Sequence, residues 1–120
     1  MKNKTLVLGA SENPDRYSNK AIISLQRKGH DILAVGKKAG KVNGAEISTQ
    51  PIQSDEVETV TLYLNPHNQQ PYYDYILSLK PRRIIFNPGT ENEELERLAA
   101  KEGIDVLEAC TLVMLSTGQY

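Results

Sequence analysis

Thr5-Leu6-Val7-Leu8-Gly9-Ala10-Ser11-Glu12-Asn13-Pro14-Asp15-Arg16-Tyr17-Ser18 is the stretch on which the fold turns. It opens as a short apolar run, breaks at Gly9, crosses a polar loop and hands over to a helical pattern. A run this short and continuously apolar predicts a central parallel strand covered on both faces. A buried strand leading through a loop into a helix start is how α/β proteins offer backbone N–H groups to a phosphate. The same pattern also serves where a glycine merely lets a strand turn tightly into a helix.

Working outward, Ser18 is a candidate N-cap and Gly29 a stop, so the spacing predicts a helix over about Asn19 to Lys28 with Ala21, Ile22 and Leu25 facing inward. Asp31 to Val35 is the second strand, which completes a βαβ unit. Gly36 to Gly44 is polar, basic and glycine-rich, with a tight turn at Asn43-Gly44 and one short strand beside it. Thr59 to Leu64 is rich in β-branched residues and predicts a strand ending at Asn65-Pro66. A helix follows from about Gln69 to Lys80, with Asn68 as cap, Pro71 in its first turn and Tyr72, Ile76 and Leu79 as its buried stripe. Arg83 to Phe86 is a further strand. Thr90-Glu91-Asn92-Glu93 matches a capping box, which starts a helix from Glu91 to Lys101 with Leu95, Leu98 and Ala99 inward. Ile104 to Leu107 is the last strand, and Cys110 to Leu115 a short terminal helix.

Strands and helices alternate throughout. The expected fold is α/β: a doubly wound, mainly parallel sheet of about five strands with helices on both faces, formed by residues 1–120 as one domain. Ligands of such sheets bind at the carboxyl ends of the strands. Here those ends are Gly9-Ala10-Ser11, Val35-Gly36-Lys37, Asn65-Pro66-His67, Asn87-Pro88-Gly89 and Glu108-Ala109-Cys110, where polar, Gly and Pro residues gather as a shared crevice requires. Turns use the same residue types.

A net charge of -1, with both signs mixed, gives no reason to expect nucleic-acid or membrane binding. No apolar run approaches the roughly 20 residues of a membrane span. Met1-Lys2-Asn3-Lys4 leads straight into a strand without a signal-peptide layout, and the single Cys110 suits a reducing compartment, so a cytoplasmic protein is expected.

The dinucleotide fingerprint Gly-x-Gly-x-x-Gly is absent, since Gly9 is the one glycine before Ser18. Nicotinamide-dinucleotide sites also place an acidic residue after the second strand, where this chain has Lys37-Lys38. Two cations there suit an extra phosphate on the adenosine ribose, as in coenzyme A or NADP, or else form a solvated loop pair.

Gly9-Ala10-Ser11, Arg16-Tyr17-Ser18, Gly29-His30 and the later Asn87-Pro88-Gly89-Thr90-Glu91-Asn92, Gly103-Ile104 and Glu108-Ala109-Cys110 together resemble the small stand-alone CoA-binding domain family. That family is similar to the CoA-binding domain of succinyl-CoA synthetase α-subunits, and the resemblance covers nearly the whole chain. It implies a Rossmann-like domain that binds coenzyme A or an acyl-CoA. Gly9, Ala10 and Ser11 would cradle phosphates through backbone amides and the Ser11 hydroxyl; Arg16, Tyr17 and Ser18 would close the loop over the pyrophosphate. Val35, Gly36, Lys37 and Lys38 would meet the adenosine end, and Asn65, Pro66, Pro88 and Gly89 would line the crevice. The chain departs from the family at Ala34-Val35-Gly36-Lys37, where a Pro-Val-Asn-Pro-like stretch is usual.

Candidates for chemistry are few. His30 precedes a strand, on the edge opposite the ligand end; His67 is better placed but has no partner acid. Cys110 reads as packing, with no basic neighbour in sequence to activate a thiolate. No ligand spacing suggests a metal, and Glu91, Glu93 and Glu94 read as helix-start charges. The resemblance places the synthetases' phosphorylated histidine in a further domain, beyond where this chain stops. The expectation is a binding domain without catalysis of its own, acting as sensor, carrier or accessory subunit, with a protein partner or a second copy compatible with it. The alternatives are an NADP-binding oxidoreductase fragment and an interaction domain whose pocket no longer binds.

Overall fold

In the computed structural model, which describes residues 2–120, Lys4–Leu8 forms β1, with Leu6, Val7 and Leu8 all fully buried. The other strands are β2 (Asp31–Val35), β3 (Gly40–Val42), β4 (Ala45–Ser48), β5 (Val57–Leu62), β6 (Arg83–Phe86) and β7 (Asp105–Glu108). They make one sheet in the order β3-β4-β2-β1-β5-β6-β7, parallel at every pairing except β3 with β4. Seven strands replace the expected five or so. The additional two are the hairpin around Asn43-Gly44, whose φ values of 47° and 87° suit a tight primed turn. The sequence shows the turn and one short strand beside it; the second strand is too short and polar to declare itself locally. Val42 and Ile47 supply the buried contacts, and β4 gains its place by pairing Ala34 with Ile47 and Val35 with Ser48.

Alternation with period two sends β1 side chains to opposite faces. Leu6 and Leu8 join Val60, Leu62, Ile84 and Phe86 in one core layer, closed by Ile76, Leu95 and Ala99. Val7 joins Ala34, Ile22, Leu25 and Leu115 in the other. The first layer lies under α3 (Tyr73–Ser78) and α4 (Glu93–Lys101), the second under α1 (Tyr17–Arg27) and α5 (Thr111–Ser116). Helices on both faces of a mainly parallel sheet are thus the observed architecture.

Three helix starts differ from expectation. α1 begins two residues early, with Arg16 as N-cap, so Ser18 lies inside the first turn and is buried. The segment expected as one helix from Gln69 splits into α2 (Pro66–Gln69), a tighter 3-10 turn at Gln70–Tyr72, and α3. Asn65, not Asn68, caps it: the Asn65 side chain accepts the Asn68 N–H at 2.9 Å, with Pro66 in the first position. Pro71 lacks the donor a continuous helix would use there. Before α4, Thr90 instead closes its own turn by donating its N–H and hydroxyl to the Asn87 carbonyl. The cap passes to Asn92, whose side chain accepts from Leu95 while Glu96 reaches back to the Asn92 N–H at 3.3 Å. A reciprocal cap therefore forms, but two residues later than the capping-box spacing predicts.

Candidate functional site

The chain leaves β1 toward β2 on one side and returns to β5 on the other, so the strand order reverses beside β1. At the carboxyl end of that reversal, where open α/β sheets take their ligands, lies a cavity of about 200 Å³. Gly9, Gly36 and Lys37 line it from the ends of β1 and β2, and Leu64, Asn68, Pro71 and Tyr72 from the segment after β5.

Glycine is required at the two strand ends for steric reasons. Gly9 has φ of 98°, and a Cβ there would lie 3.0 Å from the Tyr63 backbone. At Gly36 a Cβ would lie 2.3 Å from the Ala10 carbonyl oxygen. That contact is the β1 loop crossing over the end of β2, which accounts physically for a glycine at this position.

The crossing also redefines which amides are free. The N–H groups of Gly9 and Ala10 both donate to the Val35 carbonyl, at 2.8 and 3.0 Å. They extend the sheet's ladder, so both amides already have an acceptor within the protein. Further along, Asn13 and Asp15 donate to Ser11 Oγ and Asn13 Oδ1, and Arg16 donates to the Asn13 carbonyl. Among the described residues from Gly9 to Ser18, the amides without an acceptor are those of Ser11, Glu12, Tyr17 and Ser18. Buried Asn19 holds this loop from below by donating to the Ser11 carbonyl at 3.0 Å.

The remaining sequence candidates divide clearly. Lys37 and Lys38 are exposed beside the cavity, and Arg16 and Tyr17 are exposed at the start of α1, Lys20 lying over the Tyr17 ring. Val35 is fully buried and contributes its carbonyl. Asn65 and Pro66 cap α2 without lining the cavity. Pro88 and Gly89 stand exposed after β6, outside it, with the Gly89 N–H taken by Glu91. Leu64, Pro71 and Tyr72 were expected as strand, helix turn and core stripe. The Asn65-Pro66 pair, a cap followed by proline, is the sequence signal that would have turned them toward the crevice.

The carboxyl ends of β5, β6 and β7 are closed differently. Asn87 donates to Thr61 Oγ1 and the Leu62 carbonyl at 2.7 and 2.9 Å, and accepts the Thr111 N–H at 2.8 Å. Thr61 and Thr111 bond each other at 2.8 Å, leaving the buried Tyr63 hydroxyl beside them without a partner. Burial pushes the Tyr63 phenol from 10.0 to about 12, the neighbouring Thr61 and Thr111 hydroxyls offsetting only part of that rise. An acid raised on folding keeps the native state favoured below its unfolded value, so this contribution is intact below pH 10 and is lost as the pH climbs through about 12. Tyr63→Phe is therefore expected to flatten the alkaline limb of the stability curve above pH 10, read by urea midpoints at successive pH values. Parallel curves for the two proteins would refute it.

His67 is exposed in α2, and half-buried Cys110 caps α5. Among the described residues, no group of three or more His, Cys, Asp or Glu side chains suited to a metal occurs, and no helix is long and apolar enough to cross a membrane.

Residues 3–116 match the family described as "CoA binding domain". No curated protein matches the chain. Among solved structures, an uncharacterized protein is 50% identical, covers 100% of this chain and 99% of its own, and superposes with a TM-score of 0.96. A hypothetical protein from Pyrococcus horikoshii OT3 is 23% identical with a TM-score of 0.87, over 97% of this chain and 83% of its own. The dinucleotide-forming acetyl-coenzyme A synthetase 1 of Candidatus Korarchaeum cryptofilum, solved with phosphate and ADP, is 18% identical with a TM-score of 0.71. That match spans 90% of this chain but 26% of the synthetase, and shows a shared fold.

Proposed function

The chain belongs to the CoA-binding domain family, and on that premise we propose that it binds coenzyme A or an acyl-CoA at the carboxyl ends of β1, β2 and β5. The observation that carries the reading is the juxtaposition of an apolar-walled cavity, a free-amide loop and a lysine pair. Leu64, Pro71 and Tyr72 offer flat apolar surface in a space of about 200 Å³, fit for a purine, with the Asn68 amide as a polar partner. The amides of Ser11, Glu12, Tyr17 and Ser18 would take the pyrophosphate at the start of α1. Lys37 and Lys38 would meet the ribose phosphate as exposed point charges.

In this reading the domain holds its ligand and presents the thiol or acyl end outward, as a sensor, carrier or accessory subunit, and neither His67 nor Cys110 is given a role. The lysine pair would also serve the 2′-phosphate of NADP, so the titration includes it. In a thermal-shift experiment, CoA or acetyl-CoA at about 100 times its Kd should stabilise the fold by roughly 2.7 kcal/mol. NAD should give no shift. A response to NADPH alone would transfer the site to the nicotinamide reading, and no response to any CoA species would remove the proposal. Lys37→Glu with Lys38→Glu should weaken CoA more than dephospho-CoA. Equal weakening of both would dissociate the lysines from the ribose phosphate.

A further inference from the structure

Glu12 sits in the middle of the β1–α1 loop, yet its side chain does not face the mouth of the cavity. It crosses to the edge strand β3, where Oε2 accepts the Lys41 N–H at 2.9 Å. The path is open because residue 40 is glycine: a Cβ there would lie 2.2 Å from the Glu12 carboxyl carbon. Gly36 and Gly40 thus clear one continuous crossing, the first beneath the Ala10 carbonyl and the second beneath the Glu12 carboxylate. Asn13 and Asp15 are folded into local turns, so Glu12 is the loop side chain that reaches the far side of β2.

We infer that Glu12 is a positioning residue: by docking on the Lys41 amide over Gly40 it fixes the loop that carries the free Ser11 and Glu12 amides, and so sets affinity for a phosphate ligand. The inference rests on the CoA reading above for its ligand, but not for the latch itself. Two physical effects act together. The bond spans 29 positions of sequence and orders a polar loop that has few apolar contacts of its own. It also turns a carboxylate away from the place an anion would occupy, where it would repel the phosphate.

Three variants and two readouts test this. Glu12→Ala removes the latch, Gly40→Ala blocks its path, and Glu12→Gln keeps an oxygen that can accept the Lys41 N–H. Hydrogen exchange at the Lys41 amide should show protection in the parent protein and in Glu12→Gln, with protection lost in Glu12→Ala. Calorimetric titration with CoA should show about tenfold weaker binding for Glu12→Ala, the size expected for losing a hydrogen bond to a charged group. Glu12→Gln should restore most of that affinity. Adding Gly40→Ala to Glu12→Ala should weaken binding no further, because both act on one contact. An unprotected Lys41 amide in the parent protein overturns the inference, as does a Glu12→Ala protein that binds CoA as tightly as the parent. Absence of CoA binding by the parent defeats the ligand reading instead, and the exchange data then decide alone whether Glu12 holds the loop. Glu12 is exposed, so its variants should fold even where Gly40→Ala does not.

Discussion

Gly36→Ala should destabilise the protein by about 3 kcal/mol, the upper range for forcing one extra carbon into a packed site. The added Cβ would meet the Ala10 carbonyl oxygen at 2.3 Å and the Ile47 side chain at 3.2 Å. A flexible side chain could yield, but the nearest obstacle is backbone whose neighbouring amides are tied to Val35. Relief therefore requires lifting the β1 loop off β2 or moving the end of β2, whose Gly36 N–H is held by the Ser48 carbonyl at 2.9 Å. The measurement is a urea transition, in which the midpoint should fall while the slope stays constant. CoA binding should fall with it, since the same loop would carry the pyrophosphate. Lys37→Ala, one residue on and exposed, is the matched control and should leave the midpoint near the parent value. A Gly36→Ala protein as stable as the parent would show that the crossing is looser than its geometry.

Asn87→Ala should cost about as much by a different route. Asn87 is 3% exposed and makes three hydrogen bonds that join β5, β6 and the first residue of α5. Truncation leaves the buried Thr111 N–H without its acceptor and removes a donor from the Leu62 carbonyl. At roughly 1–3 kcal/mol for each buried group left unpaired, a loss of about 4 kcal/mol is expected. Asn87→Asp should not rescue it, because a carboxylate keeps the acceptor for Thr111 but loses both donations. Asn68→Ala, at the rim of the cavity, should change stability by no more than about 0.5 kcal/mol. Equal midpoints for the Asn87 and Asn68 variants would contradict the assignment of Asn87 as the tie between these strands.

These residues mark where the sequence was readable. Leu6 to Leu8, Asp31 to Val35 and Arg83 to Phe86 carry their burial in their composition, so the central strands and the parallel sheet could be read locally. The hairpin of β3 and β4 was legible only as its turn and one short strand: its two buried apolar residues, Val42 and Ile47, are too few for a periodic signal, and its pairing is decided by β2. The same holds at the site. Gly9, Gly36 and Lys37 were legible as strand ends, and all three line the cavity. That the Gly9 and Ala10 amides are consumed by Val35 depends on a contact across some 25 residues, invisible to any window around Gly9. Leu64, Pro71 and Tyr72 were hidden by a helix that the sequence placed too late.

The latch at Lys41 has a second consequence, for the rim of the sheet. An outer strand normally presents unpaired N–H and C=O groups that can template pairing with another sheet. Here β3 is three residues long, carries the exposed Lys41, and has that residue's N–H covered by Glu12. At the opposite rim β7 is four residues long and bounded by the exposed acids Asp105 and Glu108. Both rims are short and charged, so edge-to-edge growth into aggregates is disfavoured at either side of the molecule. At the β3 rim, the loop that would hold the ligand is also what blunts the edge.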